Sequence, residues 1–336
     1  MTNKRIILFA LIMMSCSGAP LSPSQPQSAS QPGKKEIPEI TFKNLSPPYE
    51  DYVYFQGSEE YAFRFNSTAF SLINAWWLAE SSTLVYADED FVKPRFSQAN
   101  LREVHFFDSQ NTECYVANND HFAIVAFRGS EIWKKREKTD LNAMVADLKT
   151  NIDIRLTDWE QGGKVHRGFK EALDEVWPDL LPHIKNLHRK GCKIWMTGHS
   201  LGAALATLAA SRFGNVQGVY TFGSPRVGDG LFRELLKISI YRIVNNDDIV
   251  PHIPPSGAYV HVGKMKFIDS NGIIRNSMNE NKPSVNEPRD ETYGQVNSGR
   301  LKKKSFNGFV PAAFRDHVPL LYALHLWNNI IESRQY

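Results

Sequence analysis

The sequence has little of several features that would assign it to a large class of proteins. Only three of its 336 residues are cysteines, too few for a disulfide framework. No apolar run approaches the roughly 18 residues of a bilayer-spanning helix. The 39 Lys and Arg nearly balance the 36 Asp and Glu, giving a formal net charge of +3, so no concentrated basic footprint indicates nucleic-acid binding. Hydrophobic residues make up 42% of the whole chain and charged residues 22%, which is typical of a globular protein.

The first residues have the form of an export signal. Lys4 and Arg5 precede nine apolar residues, Ile6 to Met14, a basic segment and an apolar core too short to span a bilayer. We therefore predict a signal peptide over residues 1–15. Met13-Met14-Ser15-Cys16 resembles a bacterial lipoprotein cleavage site, at which Cys16 would become the lipidated first residue. That resemblance implies a membrane-anchored lipoprotein of the periplasm or outer membrane, and the alternative is ordinary secretion after a cut near Ala19.

A spacer and one domain are predicted to follow. Residues 17–32 hold five Ser, four Pro and three Gln without a charge or an aromatic ring, a composition that cannot bury enough apolar surface to offset its ordering entropy. We predict a flexible linker over 16–47 and a single domain over 48–336. Cys114 and Cys192 lie in apolar segments, where two separate buried thiols are favoured over a disulfide.

The domain reads as an alternation of strands and helices. A helical pattern covers Thr68 to Tyr86, with Asn66 or Ser67 as its cap. From Lys164 onward, helices alternate with short apolar strands, and this alternation predicts an α/β fold with a mostly parallel central sheet and helices on both faces. The predicted strands of this region are Lys193 to Thr197, Gly218 to Phe222 and Ile238 to Val244.

One strand-to-helix turn carries a candidate nucleophile. Gly198-His199-Ser200-Leu201-Gly202 fits G-x-S-x-G, follows an apolar strand and opens an Ala-rich helix, which is the context of a nucleophile elbow. The turn holds the Ser200 hydroxyl above the sheet edge, and Gly198 and Gly202 remove side chains that would collide there. The alternative is a turn that binds phosphate or nothing.

A serine nucleophile needs a base and a carboxylate that orients the base. Asp247 and Asp248 both follow the strand Ile238 to Val244, so either is a candidate acid. The histidines after them are the candidate bases. His317 precedes a helical pattern and lies on a loop, where an imidazole has freedom to reach Ser200. The other three candidates are His252, His261 and His325.

The ordered motifs of the chain resemble the class 3 (fungal-type) lipases, which are α/β-hydrolases that act on acyl esters. The resemblance covers about Phe70 to Tyr322. The motifs that carry it are Ala126-Phe127-Arg128-Gly129-Ser130, Ala146-Asp147-Leu148, Val165-His166-Arg167-Gly168-Phe169, the elbow, Thr221 to Gly228, Asp248-Ile249-Val250-Pro251, and Asp316-His317 with Tyr322.

The resemblance implies a catalytic apparatus. It selects Asp248 over Asp247. Asp316-His317 with Tyr322 resembles the histidine motif, and His325-Leu326-Trp327 also resembles the histidine region of some members; His317 is favoured because a loop position suits a general base better than a helix interior. The resemblance implies Ser200, His317 and Asp248 as the triad and an oxyanion hole formed by Ser130 and Leu201. It implies neither cofactor nor metal. His166 and His199 are interpreted as buried structural groups.

Two segments depart from the family pattern. Between Ser130 and Asp147, at the position of the family's lid, stand Trp133, Lys134 and Lys135. One hypothesis is a helix that lies on an anionic lipid surface, and the alternative is a solvated loop. Residues 274–307 are polar and are interpreted as an insertion of unknown role.

Two functions of different classes follow. The first is a serine hydrolase of lipid carboxylic esters, a triacylglycerol lipase, phospholipase or esterase, with a lipid or ester substrate and a membrane or lipid–water interface as its partners. The second is a catalytically silent envelope lipoprotein on a hydrolase fold, because a fold alone does not imply function.

Overall fold

The structure is a computed structural model that describes residues 32–41, 44–45, 47–110, 112–130, 154–277, 310 and 312–334. Its compact unit runs from Gly33 to Tyr336. The predicted signal peptide, Cys16, the lid candidates Trp133, Lys134 and Lys135, and the predicted insertion beyond residue 277 lie outside the described residues. None of the described helices is long and apolar enough to cross a bilayer.

From residue 167 to residue 245, helices and strands alternate as the sequence pattern predicts. The helices are α1 (Leu72–Leu84), α2 (Glu89–Gln98), α3 (Arg167–Arg189), α4 (Leu201–Phe213), α5 (Gly230–Leu235), α6 (Ala312–Arg315) and α7 (Pro319–Glu332). The strands are β1 (Glu103–Asp108), β2 (Glu113–Asn118), β3 (Phe122–Phe127), β4 (Leu156–Asp158), β5 (Lys164–His166), β6 (Lys193–His199), β7 (Gly218–Phe222), β8 (Ile240–Asn245), β9 (Lys264–Ile268) and β10 (Ile274–Arg275).

Eight of these strands form one sheet in the order β1-β2-β3-β6-β7-β8-β9-β10. The five central strands are parallel to one another: β3, β6, β7, β8 and β9. The outer pairings, β1 with β2, β2 with β3 and β9 with β10, are antiparallel. Strands β4 and β5 form a separate ribbon. The predicted α/β fold with a mostly parallel sheet is confirmed.

Both faces of the sheet are covered. Along β6, Trp195 packs with α1 and α7 on one face, while Ile194 and Met196 pack with α3 and α4 on the other. Side chains of a strand point alternately to its two sides, so a strand buried on both sides reads as a nearly continuous apolar run. The parallel order brings the carboxyl ends of β6, β7 and β8 to one edge, where Ser200 and Asp248 follow their strands.

Helix α1 begins later than its apolar pattern indicates. Neither Asn66 nor Ser67 caps it. The cap is Ser71, whose side chain accepts a hydrogen bond from the Asn74 N–H, and the Ser71 N–H donates to the Tyr220 hydroxyl at 2.8 Å. Because Ser71 is held to the sheet, the apolar residues before it pack without continuing the helix.

The folded unit begins earlier than predicted. Trp327 Nε1 donates to the Gly33 carbonyl at 2.9 Å, and the Lys35 N–H donates to Asn328 Oδ1 at 2.8 Å. Ile40 and Leu45 are buried in a cluster with residues of α6 and α7. We call residues 33–41 and 44–45 the N-terminal strap. Its presence places the boundary between linker and domain near Gly33 rather than after residue 47.

Two smaller predictions have clear outcomes. Cys114 and Cys192 are separate, free and buried thiols, as expected, and burial raises the pKa of both. Residues 274 and 275 pair with β9 in a hairpin that turns through Gly272, whose φ is +78°. The first residues assigned to the polar insertion therefore belong to the sheet.

Candidate active site

Ser200 stands in a strained turn between β6 and α4. Its φ of 58° and ψ of −127° are unusual for a residue with a side chain. A Cβ at Gly198 would lie 2.2 Å from the Gly202 backbone, and a Cβ at Gly202 would lie 2.2 Å from the Phe127 carbonyl oxygen. The close approach of strand and helix thus requires both glycines, and the turn has the geometry of a nucleophile elbow.

Asp248 and His317 form a buried pair. His317 Nδ1 lies 2.9 Å from Asp248 Oδ2, and the two residues are 4% and 0% exposed. The Val250 N–H donates to Asp248 Oδ1 at 2.9 Å. A carboxylate on Nδ1 leaves Nε2 of the same ring as the nitrogen that can exchange a proton with a nucleophile.

Three observations show that Asp248 and His317 lie close to the elbow. The Ser200 N–H donates to the Phe222 carbonyl at 3.0 Å, which fixes the elbow beside the end of β7. A Cβ on the next residue, Gly223, would lie 2.6 Å from Asp248 Oδ2 and 2.9 Å from His317 Nδ1. His199, which precedes Ser200, has its ring centroid 4.4 Å from that of His317. Ser200, Asp248 and His317 thus meet at one edge of the sheet.

The Ser200 and His317 side chains, both within the described part of the chain, make no hydrogen bond shorter than 3.5 Å to each other. In unliganded hydrolases this bond is often long and tightens when substrate binds.

The other candidates occupy different environments. Asp247 is exposed, whereas Asp248 is buried. His261 faces Arg242 and Arg226, and burial together with these cations lowers its pKa far below the usual value. His252 ends a single helical turn, and His325 lies within α7 with its pKa lowered by burial. His317 bonds a candidate acid, with its Nδ1 at 2.9 Å from Asp248 Oδ2.

The end of β3 lies against the elbow and brings the oxyanion candidates together. A Cβ at Gly202 would contact Phe127 and Arg128, and a Cβ at Gly129 would lie 2.7 Å from the His199 carbonyl oxygen. Ser130 follows directly and is partly exposed. Leu201 is the first residue of α4, where unpaired N–H groups and the helix dipole favour negative charge. The two predicted oxyanion residues, Ser130 and Leu201, thus lie at the end of β3 and at the start of α4, where these two elements approach each other.

Two buried tyrosines contact residues of the site, and the sequence pattern does not indicate either contact. Tyr322 donates to Asp248 Oδ2 at 2.5 Å, and Tyr86 lies 2.9 Å from His199 Nδ1. Tyr86 ends an apolar helical pattern, which signals core packing alone, while Tyr322 belongs to the histidine motif without any signal of its contact. Both contacts join residues distant in sequence.

His166 is structural by its contacts. It is the N-cap of α3, where its Nδ1 accepts from the Phe169 N–H at 3.2 Å, and its ring stacks on that of Phe169. Among the residues for which the structure gives positions, no three His, Cys, Asp or Glu side chains are grouped as metal ligands.

Comparisons with known proteins find lipases similar to part of the chain. Residues 124–258 match the family model "Lipase (class 3)". The chain is 36% identical over 177 residues to a lipase of Rhizomucor miehei, covering 48% of this chain and 46% of that protein. It is 36% identical over 113 residues to a secreted mono- and diacylglycerol lipase of Fusarium solani, covering 31% and 34%. The matches thus span less than half the length of these relatives.

Solved structures of fungal lipases also align with the chain. Lipase II from Rhizopus niveus aligns with a TM-score of 0.47 and 26% identity, over 58% of this chain and 78% of that one. The family match covers the oxyanion strand, the elbow and the acid loop, while His317 lies beyond it. The region that carries Ser130, Ser200 and Asp248 therefore matches the class 3 lipase family.

Proposed function

We propose that the protein is a serine hydrolase that cleaves the carboxylic ester bonds of lipids through Ser200, His317 and Asp248. The observation that carries the proposal is the buried bond from Asp248 to His317 Nδ1, which lies against Gly223 beside the Ser200 elbow. The match of residues 124–258 to class 3 lipases supports the same chemistry.

In the proposed mechanism, the Ser200 hydroxyl oxygen attacks the ester carbonyl carbon while His317 Nε2 takes its proton. The carbonyl electrons move to oxygen, and the Leu201 N–H with the N–H and hydroxyl of Ser130 stabilise that oxyanion. Removal of one such donor typically costs about 3 kcal/mol of transition-state stabilisation. Asp248 stabilises the imidazolium through Nδ1.

Collapse of the tetrahedral intermediate breaks the bond to the alcohol oxygen, and His317 returns its proton to that leaving group. Water then attacks the acyl-enzyme with His317 again as the base, and the fatty acid leaves as Ser200 recovers its proton. No step requires a cofactor, because each proton and electron pair remains among substrate, water and the three side chains.

The substrate class and location are part of the proposal. Relatives include proteins named as mono- and diacylglycerol lipase and as phospholipase A1, which supports a glycerolipid ester as substrate. The secreted relative and the basic-apolar N-terminus support export. Lipidation of Cys16, and an interfacial role for Trp133, Lys134 and Lys135, remain predictions on residues outside the described ones.

A hydrolysis panel tests the function. The purified protein is assayed on glycerides, phospholipids and nitrophenyl esters of several chain lengths, with Ser200→Ala as the matched control. We expect wild type to release fatty acid from at least one class and Ser200→Ala to retain less than about one thousandth of that rate. Equal rates for the two proteins would reject the enzyme and favour a silent envelope lipoprotein.

A further inference from the structure

A chain of buried contacts connects the oxyanion strand to the backbone of His317. The Tyr86 phenol packs against Gly129 at the end of that strand. The phenol lies 2.9 Å from His199 Nδ1, and His199 Nε2 lies 2.7 Å from the His317 carbonyl oxygen. Tyr86, His199 and His317 are 5%, 2% and 4% exposed. This chain passes through His199, the residue before Ser200, and involves none of the three triad side chains.

The partners fix the tautomer of His199. A carbonyl oxygen can only accept, so the nitrogen that faces the His317 carbonyl, Nε2, carries a hydrogen. In the neutral ring Nδ1 is then an acceptor, and the Tyr86 hydroxyl donates to it. Both ring nitrogens of His199 are satisfied by this one arrangement.

The surroundings keep the His199 ring neutral, and the groups around it are closely packed. Burial, together with the neighbouring His317, holds the pKa of His199 well below its usual value. A neutral ring adds no positive charge beside an imidazole that must itself accept a proton. A Cβ at Gly129 would lie 1.9 Å from the Tyr86 hydroxyl, so the oxyanion strand and the phenol are in direct contact.

We propose that Tyr86 and His199 are positioning residues, which hold the His317 backbone at a fixed distance from the oxyanion strand through a single His199 tautomer. The inference rests on the proposed function, because it assigns His317 as the base and Ser130 as an oxyanion donor. It explains why a histidine precedes the nucleophile: its two ring nitrogens reach two partners at once, the Tyr86 hydroxyl and the His317 carbonyl.

The kinetic test compares buried tyrosines. Tyr86→Phe removes the central hydroxyl, and Tyr115→Phe is its control, because Tyr115 is also buried and donates only to the Ala87 carbonyl. We measure kcat and KM on a soluble nitrophenyl ester. The enzyme concentration is taken as the concentration of sites that react with a fluorophosphonate, so that misfolded protein does not enter kcat. Tyr86→Phe is expected to lower kcat about tenfold or more with KM within about twofold. Equal kcat values for the two variants would overturn the proposal.

A second pair of variants covers the case in which Tyr86→Phe does not fold. His199→Asn places an amide near Nδ1 and is too short for the His317 carbonyl, whereas the longer amide of His199→Gln has the length to donate to it. We expect His199→Gln to retain at least about five times the kcat of His199→Asn. Equal losses in both would contradict a link through the His317 carbonyl.

A spectroscopic readout separates this inference from the proposed function. In protein labelled with ¹⁵N-histidine, NMR identifies the protonated ring nitrogen of each imidazole, and His199→Gln assigns the signals. The account predicts a neutral, Nε2-protonated His199 at pH 7. An Nδ1-protonated or charged ring would overturn it. If the wild type neither hydrolyses esters nor labels, the proposed function fails, and the NMR result still decides whether the chain of bonds exists.

Discussion

Tyr322 and His317 bond the same oxygen of Asp248. The Tyr322 hydroxyl donates to Oδ2 at 2.5 Å, and His317 Nδ1 lies 2.9 Å from it. The Tyr322 hydroxyl also accepts from the Asn245 N–H at 3.2 Å. Burial and the nearby carboxylate raise the pKa of Tyr322 far above its usual value, so the phenol stays a donor. Through Tyr322, helix α7 thereby holds Asp248, the carboxylate that also bonds His317.

Loss of that anchor is expected to weaken both fold and catalysis. Tyr322→Phe leaves the Asn245 N–H and one Asp248 oxygen with fewer partners in a buried site, which costs about 1–3 kcal/mol of unfolding free energy. The released carboxylate orients His317 less well, so kcat should fall about tenfold. Chemical denaturation and steady-state kinetics measure the two effects. An unchanged kcat would show that Tyr322 does not support the acid.

Gly223 should tolerate no side chain. Its φ is +56°, and a Cβ would lie 2.6 Å from Asp248 Oδ2 and 2.9 Å from His317 Nδ1. Gly223→Ala is expected to lower kcat about a hundredfold by displacing this pair. Gly214→Ala is the control, because Gly214 has a φ of +77° and open space around its missing Cβ. It should lose about 1 kcal/mol of stability and keep its kcat, and similar kcat losses in both variants would contradict the clash.

The pKa of His199 predicts a pH effect on stability. This pKa is depressed in the folded protein. Below about pH 6.5, His199 therefore takes up a proton in the unfolded chain but stays neutral in the native state. The stability associated with neutral His199 is fully present above that pH and is lost as the pH falls toward the pKa of His199 in the folded protein.

The measurement is urea unfolding of wild type and His199→Gln between pH 5 and 7. Removal of one such histidine should make the dependence of unfolding free energy on pH shallower, by up to about 1.4 kcal/mol per pH unit. Parallel curves for the two proteins would mean that His199 is not held neutral.

A buried carboxylate joins the N-terminal strap to α1. Glu80 is fully buried and accepts from Tyr52 at 2.7 Å and from Trp76 at 2.8 Å. Lys35 of the strap supplies the nearest positive charge, at 3.9 Å. Burial raises the pKa of Glu80 and lowers that of Lys35, which reflects the cost of placing both charges away from water.

Adjacent lysines of the strap give a matched test of this contact. Lys35→Met leaves Glu80 without its counter-charge and is expected to lower the unfolding free energy by about 2 kcal/mol. Lys34→Met breaks an exposed pair with Glu332 and should change it by less than about 0.5 kcal/mol. Glu80→Gln in the Lys35→Met background should recover stability. Equal effects of the two lysine variants would contradict a specific role for Lys35.

The sequence predicts the strands and helices whose patterns are local and long. Gly218 to Phe222 matches β7 residue for residue, and G-x-S-x-G locates the elbow, because the tight turn demands glycine at fixed spacing. The ribbon of β4 and β5 was missed, since a strand of three residues has too few positions to show alternation. Helix α2 was missed too, and it contains Pro94, a residue that ordinarily interrupts a helical pattern.

The remainder of the site depends on contacts across the chain. The choice of Asp248 over Asp247 rests on family resemblance, because both acids follow the same strand. The choice of His317 rests on its loop position, which suits a general base better than the helical pattern around His325. Tyr86 and His199 are 113 positions apart, and a pairing of that span leaves no periodic signal. The sequence predicts a linker where the N-terminal strap lies, because its few apolar residues, such as Ile40 and Leu45, form a core only together with α6 and α7.

The most direct test of the central claim is covalent labelling of Ser200. Folded wild-type protein and Ser200→Ala are treated with a fluorophosphonate, and intact mass and peptide mapping locate the adduct. The account predicts one adduct per chain, on Ser200, and none in Ser200→Ala. A folded wild type that does not react, or equal labelling of both proteins, would contradict the assignment of Ser200 as an activated nucleophile.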